Sequence, residues 1–99
     1  MTGAGSVALL QDPRPDDVRR ALDRVVLRWR QLPVDRAGEH AAAVRGCAAR
    51  CAALDPASIP DLGPAAAADQ LAVAVFDACV DGHHEHLTRW LTDLLAQLS

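Results

Sequence analysis

Lysine, asparagine and tyrosine are absent from this chain of 99 residues, and phenylalanine, isoleucine and methionine occur once each. Without lysine there is no amine for Schiff-base chemistry, and without tyrosine a common general acid is missing. Serine occurs only as Ser6, Ser58 and Ser99, none in the Gly-x-Ser-x-Gly setting that presents a nucleophile. A glycine-rich phosphate loop and a Glu-x-x-His pair are missing too. The usual parts of an enzyme are not here, the enzyme reading is disfavoured, and no catalytic residue is assigned.

Long hydrophobic runs are lacking as well. Residues 7–10, "VALL", are too short for the core of a signal peptide, and nothing approaches the roughly 20 apolar residues that span a bilayer. No membrane partner is expected. Three cysteines, an odd number in a chain with enough apolar residues to fold unaided, do not read as a disulfide framework. These features predict a cytoplasmic protein with reduced thiols.

What remains is helix-forming. Twenty residues are alanine and thirteen are leucine, while β-branched and aromatic side chains are sparse, so the class is all-α. All ten basic residues are arginine and the net charge is −3. Residues 1–50 carry nine arginines against six acids, and residues 51–99 carry Arg89 against seven. That split argues against a uniformly basic nucleic-acid binder and for complementary faces, within one chain or between two copies.

Residues 1–11 read as a flexible N-terminal tail, and 12–99 as a single helical bundle domain. The first helix, residues 15–32, places Val18, Leu22, Val25, Trp29 and Leu32 on one stripe, with Arg20, Arg24 and Arg28 on its flank and Leu27 nearly opposite. Pro33 breaks it, and Asp35 is placed to cap a second helix over 35–54. There Gly38 and Gly46 suggest close approach of a neighbouring helix. The run "DPASIPDLGP", residues 55–64, is a connector whose Ile59 and Leu62 are expected to fold back over the core. A third helix over 64–80 is apolar almost all round, with Gln70, Asp77 and Asp81 as its polar line, so it is expected to be buried centrally or against a second subunit. Gly82 ends it, and a fourth helix over 83–98 carries Leu87, Leu91, Leu94 and Leu98. Short connectors then predict a small antiparallel up-down four-helix bundle.

The segment "CVDGHHEHL" concentrates possible metal ligands. In an up-down bundle Cys51 lies about 4–5 Å from the central connector, and Cys79 about 22 Å from it. Cys47 and Cys51 could not then share an ion with Cys79. His40, about 21 Å away, would lie level with it. The expected end cluster is therefore Trp29, His40, Cys79, His83 and His84, holding zinc or another transition metal, or else serving as a polar cap with no cofactor.

Three functions are compatible with these features. The first is an accessory or regulatory interaction module acting through self-association, as a homodimer, or through a protein partner, with Arg20, Arg24, Leu27 and Arg28 as the contact flank. The second is a metal-binding or redox-sensing protein using His40, Cys79, His83 and His84. The third, a helical DNA-binding regulator, rests on the arginine row alone, and nucleic acid is the least favoured partner.

Overall fold

The computed structural model describes residues 12–99, so the tail expected over 1–11 lies outside the described residues. Four helices follow in order: α1 Asp16–Gln31, α2 Val34–Cys51, α3 Pro64–Val80 and α4 Leu87–Leu98. A short 3-10 turn, Pro56–Ser58, lies between α2 and α3, and the described residues contain no strand. Among the described residues the all-α, four-helix reading holds.

Local chemistry sets the helix limits. Leu32 is extended (φ −74°, ψ 138°) because the following proline disfavours helical geometry, and this ends α1. Pro33 itself occupies the cap position of α2, so Asp35 lies in the first turn instead of capping it. At the other end α2 stops at Cys51, three residues before the expected limit. Ala53 turns left-handed (φ 57°), and the Leu54 amide donates to the Ala49 carbonyl at 2.8 Å. The end of α3 has the same arrangement, with Gly82 (φ 78°) in the turn and the His83 amide donating to Ala78 at 2.8 Å. Both are Schellman ends, one using glycine and one alanine. The histidines 83, 84 and 86 consequently stand in the bend, and α4 begins at Leu87 instead of 83.

Contacts between helix ends fix the directions. Thr88 donates to Asp17 at 3.1 Å where α1 and α4 start, and Arg28 donates to the Leu98 carbonyl at 3.0 Å where both finish. Helices α1 and α4 therefore run the same way. The Trp29 indole donates to the Pro64 carbonyl at 3.1 Å, joining the end of α1 to the start of α3, so these two run oppositely. The C-terminal turns of α2 and α3 share one cleft, lined by Cys51, Ala52, Asp77 and Ala78, so α2 and α3 are parallel. The strictly up-down order expected from the sequence thus gives way to up, down, down, up.

Residues 52–63 make the crossover. Twelve residues reach up to about 40 Å when extended, and an 18-residue helix is about 27 Å long, so the return is sterically easy. Along the way Gln70 donates to the Pro60 carbonyl at 2.9 Å, and Arg45 meets Asp61 at 3.2 Å. The connector runs beside α2 and α3 instead of closing the end of the core, and Leu62 stays exposed.

Packing follows the same pairing. The most extensive contacts are α2 on α3 and α1 on α4, with α2 also meeting α4 and α1 only lightly meeting α3. Helices joined by the short links therefore sit across the bundle from each other. The core is continuous: Leu71, Leu87, Leu91, Leu94, Leu98, Val18, Val25, Val44 and Val75 are fully buried. Each contributes about 1.5–3 kcal/mol of transfer free energy. Gly38 and Gly46 are not explained by close approach, because a Cβ at either would meet nothing within 4 Å.

Candidate functional site

The expected end cluster is not assembled. Cys79 is buried beside the N-terminal end of α1, where Asp12, Arg14 and Asp17 act on it electrostatically. His83 and His84 are exposed in the bend below it. His40, only partly buried, lies eleven residues before Cys51 on α2, which places it about 16 Å up the bundle from that end. Trp29 is farther still, against the start of α3. The reason is the parallel run of α2 and α3, which reverses the register on which the cluster depended. Among the described residues, no three His, Cys, Asp or Glu side chains converge on a point where a metal ion could sit.

The same reversal brings other residues together. Cys51 reaches the level of Cys79, and its thiol is pushed up by Cys47 beside it and by burial, with Cys79 adding to the effect. Cys47, half-buried one turn earlier, is pulled the other way. The neighbouring Cys51 thiol stabilises its thiolate most, and Arg50 assists against the cost of burial. Burial also pushes up Cys79. Cys47 opens into a cleft between α2 and α4, lined among others by Gly46, Arg50, Trp90 and Asp93. There the Arg50 guanidinium lies over the Trp90 ring, 5.4 Å from its centroid, and the His86 ring is tilted against the same indole at 5.7 Å.

The expected contact flank on α1 is only partly free. Arg20, Arg24 and Leu27 are exposed on one face, together with Asp16 and Asp23, so its charge is mixed. Leu27 is 59% exposed and stands alone there as an apolar side chain. Arg28 instead turns inward and donates to Leu98, satisfying one of the carbonyls left free at the end of α4.

A more extensive apolar surface lies on α3. Its inner face buries Ala67, Leu71, Ala74, Val75, Ala78 and Cys79. Opposite, Val73 (60%), Phe76 (43%) and Val80 (60%) are exposed on one stripe at spacings of three and four, the spacing of a helix–helix seam. Asp69 and Asp77 flank it. Next to Val73 the stripe runs into a shallow, largely apolar groove formed by Leu54, Ile59, Leu62 and Ala66. The sequence marks α3 as apolar all round but does not by that single out this stripe. The signal lies in the 73, 76, 80 spacing, which falls opposite Leu71, Val75 and Ala78.

Compared with family models, curated proteins and solved structures, the chain matches none. No described helix is long and apolar enough to cross a membrane.

Proposed function

We propose that this chain is a small helical interaction module that works by self-association. Two copies would pack through the Val73–Phe76–Val80 stripe of α3, in a cytoplasmic setting where its thiols stay reduced. The observation that carries this reading is the exposure of those three side chains on a helix whose other face is already buried in its own core. A two-fold arrangement suits it, because one self-complementary stripe serves both copies. Asp69 and Asp77 flank the stripe in both copies, so the contact rests on apolar burial and not on charge pairing.

Sedimentation velocity across micromolar to high micromolar concentrations tests this. The expected result is a dimer that Phe76→Asp and Val80→Asp convert to a monomer with unchanged far-ultraviolet circular dichroism. Leu27→Asp, on the α1 flank, should weaken association less. A chain that stays monomeric at every concentration, or a dimer indifferent to both α3 substitutions, overturns the reading. Capture of a different protein by the same stripe, with the isolated chain monomeric, would replace the second copy by a partner.

A further inference from the structure

We propose that Cys47 and Cys51 form a two-thiolate binding site for a soft monovalent cation, Cu(I) being the biological candidate, on the last turn of α2. The spacing decides between binding and bridging. Side chains four apart on a helix have Cβ atoms about 5–6 Å apart. An unstrained disulfide needs about 3.5–4.5 Å, so a bridge would distort or unwind the turn. Two sulfurs can instead converge on an ion between them while the helix stays intact. Thiolates select Cu(I) by softness. Zinc takes four ligands in structural sites, and no third or fourth His, Cys, Asp or Glu converges here among the described residues.

Access and charge fit this chemistry. Cys47 is half-buried and opens into the α2–α4 cleft, while Cys51, one turn on and almost fully buried, borders the cleft at the ends of α2 and α3. Loading converts two thiols to thiolates and releases two protons. The Cu(I) bis-thiolate that results carries one net negative charge. Arg50, held over Trp90 at the same cleft, supplies the opposite charge. Each thiol gives up its proton to the metal, so protons compete with the ion for the two sulfurs. Retention of the ion therefore falls as pH is lowered. Nothing in this site depends on the α3 stripe, so either proposal can fail without the other.

The test is anaerobic titration of the reduced full chain with Cu(I) against a chromophoric Cu(I) chelator, with ultraviolet absorption reporting sulfur-to-copper charge transfer. One equivalent per chain is expected. Cys47→Ser and Cys51→Ala should each lower retention by more than about tenfold, a loss of about 1.4 kcal/mol or more. Cys79→Ala should leave it unchanged, and circular dichroism will report whether each variant is folded. Since Cys47 is not fully buried, its substitution carries the test even if the buried Cys51 variant is unstable. The proposal is overturned if the parent chain retains no copper, if the Cys47→Ser/Cys51→Ala double variant retains it, or if Cys79→Ala loses it equally.

Discussion

The two parallel helix pairs of this bundle are built differently. In the α1–α4 pair the buried positions, Ala21 apart, are large: Val18, Leu22, Val25 and Trp29 on one helix, Leu87, Leu91, Leu94 and Leu98 on the other. In the α2–α3 pair most are alanine: Ala37, Ala41, Ala48 and Ala49 on α2, Ala67, Ala74 and Ala78 on α3. Both pairs are covered, but with opposite consequences outside. Helices α1 and α4 spend their large apolar residues inward and present charge outward, Leu27 excepted. Helix α3 packs mostly small residues inward and keeps Val73, Phe76 and Val80 outside. The difference teaches that α3 has more apolar surface than the other described residues cover, and the proposed function rests on that surplus.

Four substitutions would break or sharpen this contrast. Leu91→Ala, at a fully buried site of the large-residue pair, should have the greatest effect, lowering stability by about 2–5 kcal/mol in urea unfolding. Ala48→Leu asks the reverse question of the small-residue pair. At a position with no exposed surface, the added bulk should cost about 1–3 kcal/mol. A neutral result there would show that α2 and α3 are loosely packed, and the contrast would collapse. Ala53→Gly relieves a left-handed alanine at the end of α2 and should raise stability by about 1 kcal/mol, visible as a higher thermal midpoint. Gly38→Ala, facing open space on α2, should gain about 0.5–1 kcal/mol through helix propensity alone. If Gly38→Ala destabilises, the close approach inferred from the sequence exists after all.

Periodicity makes the helices, and the inward faces of α1 and α4, legible in the amino-acid sequence. The start and end of α3 fall at Pro64 and Val80 as expected, and the stripes of α1 and α4 are buried. Direction is not legible in the same way. An apolar stripe reports which face is inside but not which way the helix runs, and a connector of twelve residues is long enough to turn back or to cross over. The ties that distinguish the two, Gln70 to Pro60 and Arg45 to Asp61, are single contacts with no local signature. The metal cluster fails for this reason, since His40 and Cys79 are level only if α2 and α3 are antiparallel. The fourth helix begins late because Gly82 and His83 complete the Schellman end of α3, and its first i→i−4 bond runs from the Trp90 amide to the His86 carbonyl. Arg28 reads as free in the sequence because its partner is the backbone carbonyl of Leu98, seventy residues away.

The pairing of α1 with α4 also bears on how the fold is reached. Its ties join residues 70 and 71 positions apart, so the chain must close its longest loop before this half of the core exists. Such non-local closure slows folding relative to bundles in which each helix docks on the one before it. During synthesis the Val18–Leu22–Val25 stripe waits uncovered until the fourth helix has emerged. That interval, more than any weakness of the finished bundle, is when the nascent chain is most open to sticking to others or to being held by a chaperone.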